Sequence, residues 1–305
     1  MEMLDKITAK IDKIVLLFAV LVLVVSFYLV YSLNLSYSKK EAVQSLDNAL
    51  LLTKNILEEE QQHVMSLSLL LSQDKSFLES FYAQDRKAAF DTINEKMKTL
   101  QKIQGYTFEV QVHDKNLHTY LRNWDYTITD VPLASFREGL VLVKQRKKPM
   151  VSIEVGKRLN IKAISPILKE GAFQGSIEVI EGFGHLREKL AEQGYALFIL
   201  LDKQYFLIAT SLKHHPLIAN RFVLVNDIYD KNSYQGLKNA DLSNLGTYGY
   251  FTRDKFAFGY FDIKNYQDDR LGYCIIAVEK DVPLSIESYQ GSDSVEYNSS
   301  GVIIR

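Results

Sequence analysis

The sequence predicts an α+β chain: an N-terminal transmembrane helix, a long stalk helix and two small antiparallel sheets. Three observations carry this. No charged residue occurs from Ile14 to Ser38. Apolar residues then recur at alternating steps of three and four, the spacing of one helix face. Past residue 105 the period falls to two, the spacing of strands.

The uncharged stretch IVLLFAVLVLVVSFYLVYSL holds about twenty largely apolar residues, enough to cross ~30 Å of hydrocarbon. Tyr28 and Tyr31 fit an interfacial belt on its far side. Lys6, Lys10 and Lys13 precede it and Lys39 and Lys40 follow, so the positive-inside count is nearly balanced. A cleaved signal peptide is the rival. The run exceeds the usual 7–15 apolar residues, however, and no A-x-A-like site follows it. We expect an uncleaved, single-pass inner-membrane anchor over 14–34 with residues 1–13 cytoplasmic. The rest of the chain would lie on the periplasmic or extracellular side.

Val43, Leu46, Leu50, Thr53, Leu57, Glu60, Val64, Leu67 and Leu71 then form a heptad-like seam with two polar interruptions. No Gly or Pro breaks it. The seam either packs on its own domain or also meets a twin helix across a homodimer axis. After an acidic and polar turn, Phe90, Ile93, Met97 and Leu100 mark a second helix over Arg86–Gln104. Residues 35–104 are therefore expected to be the long helices of the domain.

The strands follow. YTFEVQVHD alternates Phe108, Val110 and Val112 against Thr107, Glu109 and Gln111. LHTYLRNW sets His118, Tyr120, Arg122 and Trp124 on one face. A helix is expected over about Leu133–Lys147. Next comes a hairpin, Val151, Ile153 and Val155 against Ser152 and Glu154, then Ile161, Ala163 and Ile167 against Asn160 and Lys162. AFQGSIEVI adds Phe173, Gly175, Ile177 and Val179 against Gln174, Ser176 and Glu178. This first module spans 105–192 and closes on a helix near Phe183–Gln193. YALFILLD, YFLIATS, TYGYFT, FAFGYFDI and LGYCIIAVEK are the expected strands of a second module over 193–285. The polar tail, 286–305, reads as disordered.

Composition narrows the function. The length of 305 residues suggests about two domains, and a net charge of −1 gives no electrostatic footprint for nucleic acid. The single cysteine, Cys274 in YCIIAV, excludes an internal disulfide and reads as an inert core thiol. There is no G-x-S-x-G, H-E-x-x-H, P-loop, G-x-G-x-x-G or paired-Cys motif, and no cofactor is expected. His214–His215 has no third ligand at a recognisable spacing, so no metal is expected either. Glu154 and Glu178 as an acid/base pair lack a cleft architecture. The reading is not an enzyme.

The order of VQVHDKNLHTYLRNWD, SFREGLVLVKQRKKPMVSIEVG, LNIKAISPIL and GAFQGSIEVI resembles the double Cache extracytoplasmic sensor domain of bacterial chemoreceptors and membrane-bound sensor kinases. The matching positions are His113–Asp114, Leu121, Arg122 and Trp124, Phe136–Arg137, Glu154 and Gly156, Lys162 to Pro166, and Gly175–Ser176 with Glu178. Together they cover about 106–181, and the flanking helix and second sheet extend the resemblance to about 40–285. Ser152 stands where the family usually has Gly. Lys162 stands where it often has Arg, which replaces a planar fork by a point charge. The resemblance implies two PAS-like modules, the first membrane-distal and ligand-binding, the second membrane-proximal. A complete receptor would continue into a second span and a cytoplasmic signalling region, and neither is seen in these residues.

The face opposite the core of the first sheet carries the expected site: Tyr120, Arg122, Trp124, Ser152, Glu154, Lys162, Ser176 and Glu178, with Arg137 capping it from the inserted helix. Arg122 or Lys162 would hold a carboxylate, Glu154 or Glu178 an amine. Trp124 and Tyr120 would wall the site. In the competing reading Arg122, Glu154, Lys162 and Glu178 pair with one another across strands. The expected function is a membrane-anchored sensor for a small polar carboxylate or amino compound, signalling through the stalk as a dimer. The alternative is a membrane-anchored docking domain without a small ligand.

Overall fold

The structure is a computed structural model and describes residues 2–279 and 289–291. Helix α1 runs unbroken over Glu2–Ser72, joining the apolar segment to the stalk. By length and composition it is the candidate membrane span. Its apolar segment is stripped of protein contacts, with Leu17 73% and Phe27 75% exposed.

The stalk half is the opposite case. Leu46, Leu50, Leu57, Val64 and Leu71 are buried, and so are the two polar interruptions, Thr53 and Glu60. Thr53 satisfies its hydroxyl within the helix by donating to Ala49 O at 2.7 Å. The seam is thus spent on this chain's own sheets. Leu50 packs down on Gly259, where an added methyl would stand 3.0 Å from a Leu50 methyl. Eighteen residues on, Ser68 and Ser165 share a 2.7 Å hydroxyl contact on the first sheet. At 1.5 Å per residue these two contacts lie about 27 Å apart along the helix. The second sheet is therefore nearer the apolar segment and the first sheet farther from it.

Two further helices, α2 (Lys75–Tyr82) and α3 (Arg86–Gln104), pack beside α1. The sequence reading took the α2 region for a turn. Asp74 caps it instead, its carboxylate accepting from Phe77 N at 2.9 Å, and Phe77 and Phe81 bury its one apolar face. The first sheet comprises β1 (Glu109–Asp114), β2 (Thr119–Arg122), β3 (Met150–Val155), β4 (Leu159–Lys169) and β5 (Ala172–Glu181). They are antiparallel in the order β2-β1-β5-β4-β3. Helix α4 (Glu138–Arg146) lies between β2 and β3 in sequence and starts five residues later than expected. Residues 133–137 are held in turns there, with Phe136 N and Arg137 N both donating to Leu133 O. Helix α5 (Gly184–Glu192) leads to the second sheet.

That sheet holds β6 (Ala196–Asp202), β7 (Leu217–Ile218), β8 (Phe222–Leu224), β9 (Tyr248–Arg253), β10 (Phe256–Lys264), β11 (Arg270–Glu279) and β12 (Tyr289–Gly291), ordered β12-β9-β10-β11-β6-β8-β7. Helix α6 (Lys231–Lys238) covers its outer face with Leu237, over Phe198, Tyr260 and Tyr273. Two expectations fail here. YFLIATS forms short 3-10 turns, because Asp202 accepts from Gln204 N at 3.0 Å and ends the strand. Of the tail expected to be disordered, residues 289–291 pair with β9, whose edge would otherwise leave its backbone groups open. The remaining tail residues lie outside the described residues.

Candidate functional site

The inner face of the first sheet is packed on α1 by Val110, Val112, Leu121, Ile153, Ile161, Ala163, Ile177 and Val179. The outer face is not open. The segment 123–137 and α4 cover it, and Leu140, Val143, Met150 and Ile164 form a small apolar core beneath them. Beside that core lies a polar cluster buried almost completely: Arg137 is 7%, Glu154 8%, Lys162 2% and Glu178 0% exposed.

Strand register brings these residues together. Ser152 stands opposite Lys162, and Glu178 lies between Gln111 on β1 and Ile164 on β4. Arg137 reaches down from the start of α4. Its Nη2 donates to Glu178 Oε1, its Nη1 to Glu178 Oε2 at 3.3 Å, and its Nη2 also meets Glu154 Oε2 at 3.5 Å. Ser152 Oγ donates to Glu154 Oε1 at 3.0 Å. Gly139 lets α4 settle here, since a side chain at that position would collide with the Glu154 carboxylate. His113 is fully buried, with Nδ1 3.0 Å from Ser176 Oγ and Nε2 3.6 Å from Glu178.

Lys162 is the exception. It feels Glu178 and Glu154 at longer range, but among the described residues nothing hydrogen-bonds to its ammonium or pairs with it in direct contact. The ammonium lies beside Gly156, where an added methyl would stand 2.8 Å away.

The electrostatics follow from burial and these neighbours. Burial pushes Lys162 down to about 8, and Arg137 adds to the effect. Burial alone would raise Glu178, but Arg137 and Lys162 outweigh it and hold the carboxyl at about 2. Glu178 and Glu154 together raise Arg137 above its ordinary value against the effect of burial. His113 is pushed down to about 4, mainly by burial, and is neutral at pH 7. Glu178 and Glu154 thus face Arg137 and Lys162, with Arg122 half-buried at the edge, where Asp125 and Glu109 also act on it.

Arg137, Glu154, Lys162 and Glu178, expected as site residues, thus meet in one cluster. The cross-strand pairing of the competing reading is not seen among the described residues, since both carboxylates turn to Arg137 instead. Arg122 lies at the margin, its Nε donating to Gln111 Oε1 at 3.2 Å. Tyr120 does not face the cluster. A register shift at Val112/His113 turns its ring onto Phe81 of α2, with centroids 5.0 Å apart. Trp124 lies beyond the end of β2, 44% exposed, 5.7 Å from the Arg122 guanidinium.

The sequence places His113 among the matching positions of the resemblance but not in the expected site. Asp114 shapes the turn, accepting from Asn116 N and His118 N, while His113 enters the cluster. It also passed over Arg86. That side chain fastens the covering segment, donating from Nε to Tyr120 O at 2.7 Å and from Nη2 to Tyr126 O, with its guanidinium 4.1 Å from the Tyr126 ring. At the other end of the cover, Tyr266 on the β10–β11 turn donates to Glu138 Oε2 at 3.1 Å, linking the second sheet to α4.

The family described as the double sensory domain of two-component sensor kinases, dCache_3, matches residues 39–245. The chain belongs to this family. Its two sheets and long leading helix are those of a double Cache domain, a sensory rather than an enzymatic fold. No curated protein matches the chain. Among solved structures it is similar to the sensor domain of the histidine kinase DctB of V. cholerae, at 12% identity and TM-score 0.44, covering 81% of this chain and 98% of that one. It is also similar to the ligand-binding domain of the Campylobacter jejuni chemoreceptor Tlp3 in complex with L-valine, at 13% identity and TM-score 0.46, covering 80% and 97%. The Tlp3 sensory domain with isoleucine bound is similar at 15% identity and TM-score 0.42, covering 80% and 97%. At such identities and scores, the choice of site in this double Cache chain rests on its own residues.

Proposed function

We propose that this double Cache chain is a membrane-anchored, extracytoplasmic sensor whose membrane-distal sheet binds a small metabolite carrying a carboxylate. Lys162 receives the carboxylate, with Arg122 at the edge. Where the metabolite is an amino acid, Glu154 or Glu178 takes its amine in exchange for part of the Arg137 contact. The single observation that supports this most is the Lys162 side chain, 2% exposed, whose ammonium has no contact partner among the described residues. A desolvated charge costs several kcal/mol unless something pairs with it, and a ligand carboxylate supplies that pair.

Binding requires the cover formed by 123–137 and α4 to open and reclose. A ligand shifts that equilibrium only by its differential affinity for the two arrangements. The way out of the site runs through α4 and Tyr266 to the second sheet, and through β4 and β5 to α1. A homodimer, with α1 as its axis near the membrane, is the expected working unit.

The test is a panel of small mono- and dicarboxylic acids, amino acids and amines added to the purified chain in detergent micelles. Thermal shift is read first and calorimetry follows. The proposal expects stabilisation by at least one carboxylate and its loss in Lys162→Met. Stabilisation by amines alone, or by no compound in the panel, contradicts it.

A further inference from the structure

A second buried polar cluster lies away from the proposed ligand site, where α1, the end of β5 and α5 meet. We propose that Glu60, Glu181 and His185 form a site for a divalent transition-metal cation of the zinc type.

The sequence marks Glu60 as the charged interruption of an otherwise apolar seam, and the structure shows what lies opposite it. Glu60 is 3% exposed, and its Oε1 is 2.5 Å from His185 Nδ1. Glu181, the last residue of β5, is 5% exposed. Among the described residues no donor group reaches either Glu181 oxygen or Glu60 Oε2, which face each other as two buried carboxyls. Buried carboxylate oxygens seldom go unsatisfied, because leaving them so costs more than most folds tolerate. One ligand atom from each of the three residues falls within 4.8 Å of the others.

The donor set defines the ion. One imidazole nitrogen and two carboxylates suit zinc and its neighbours, whereas calcium and magnesium prefer oxygen alone. Metal–ligand bonds of about 2.0–2.2 Å put tetrahedral ligand atoms about 3.3 Å apart. The three ligand atoms, now within 4.8 Å of one another, would draw closer around the ion. The His185 ring is already fixed, stacked on Tyr106 at 4.4 Å and 23°. Lys189 now stands 3.7 Å from Glu60 Oε1, and its half-exposed side chain is free to swing outward. Three protein ligands leave a fourth position for water or a solute group. Sequence spacing hid this site because Glu60 and His185 are 125 residues apart. Its position would clamp the stalk helix to the corner that joins the two sheets.

The test uses the full chain in detergent micelles, with any affinity tag removed. The protein is stripped with a chelator, dialysed against zinc chloride and then against metal-free buffer, and its metal content is measured. Thermal unfolding is followed with and without zinc. Glu181→Gln and His185→Ala are compared after circular dichroism confirms their folds. The proposal expects one zinc retained per chain, a rise in melting temperature with zinc, and loss of both in each variant. Glu181→Gln keeps the volume and replaces a carboxylate ligand with an amide, so it serves if His185→Ala does not fold. Retention by the parent chain no greater than by Glu181→Gln overturns the proposal. Equal retention by calcium or magnesium overturns the assigned class of ion.

Discussion

Replacing Lys162 by Met should make the unliganded protein more stable while abolishing its ligand response. Met keeps most of the hydrocarbon stem and removes the ammonium. Lys162 is 2% exposed, and its value falls from 10.5 to about 8. That gap corresponds to roughly 3 kcal/mol. The folded-state value is the lower one, so the unfolded chain holds more protons between pH 8 and 10.5. The charged ammonium therefore costs the fold its full amount below pH 8, and the cost fades as pH rises towards 10.5. The attraction to Glu178 and Glu154 and the repulsion from Arg137 are already contained in that value. Thermal unfolding followed by circular dichroism should show Lys162→Met melting on the order of 5–10 °C higher at pH 7. The gain should shrink towards zero by pH 10.5. A lower melting temperature at pH 7, or a gain that does not change with pH, would refute the view of Lys162 as a desolvated charge awaiting a partner.

Other expectations follow from the same contacts. Arg137→Ala leaves Glu178 buried without its principal cation and should cost about 3–5 kcal/mol in chemical denaturation, with part recovered by adding Glu178→Gln. Stability should fall as pH drops from 6.5 to about 4, because His113 is buried neutral and the unfolded chain takes up its proton first. His113→Gln should flatten that part of the melting profile. The stabilisation tied to Glu178 is present above pH 4.5 and is lost as pH falls towards 2. Tyr266→Phe removes the hydrogen bond to Glu138 and should cost about 1 kcal/mol. It should also weaken the ligand-induced change in amide exchange within the second sheet while leaving ligand affinity nearly intact.

Much of the architecture was legible because single residues act locally. The 3.6 period of Phe90, Ile93 and Met97 identified α3, whose ends the structure sets at Asp85 and Gly105. The alternation of Val151 to Val155 and of Ile161 to Ile167 separated the two faces of the first sheet. Short capped elements were harder to see. Asp74 and Asp230 begin helices of eight residues, too short to display a periodicity.

The site was half legible for a similar reason. Period two placed Glu154, Lys162 and Glu178 on one face, because those strands pair regularly across it. Tyr120 was misplaced because a bulge changes which face a residue occupies, and no local signal in LHTYLRNW announces it. The reach of Arg137 and the cover over the cluster are tertiary facts. They turned an expected open face into a closed one, with its charges desolvated. The pairing of Glu60 with Glu181 and His185 was out of reach for the same reason.

The central claim is that the ligand carboxylate pairs with the Lys162 ammonium, and proton uptake on binding tests it most directly. With Lys162 near 8 in the unliganded protein, an arriving anion at pH 8 should draw in about half a proton per ligand. Calorimetry in buffers of different ionisation enthalpy reads that number for the acid that stabilises the chain most. We expect uptake of about half a proton at pH 8, falling towards zero at pH 6 as the ammonium becomes fully protonated. Binding with no proton uptake at pH 8 would contradict the account.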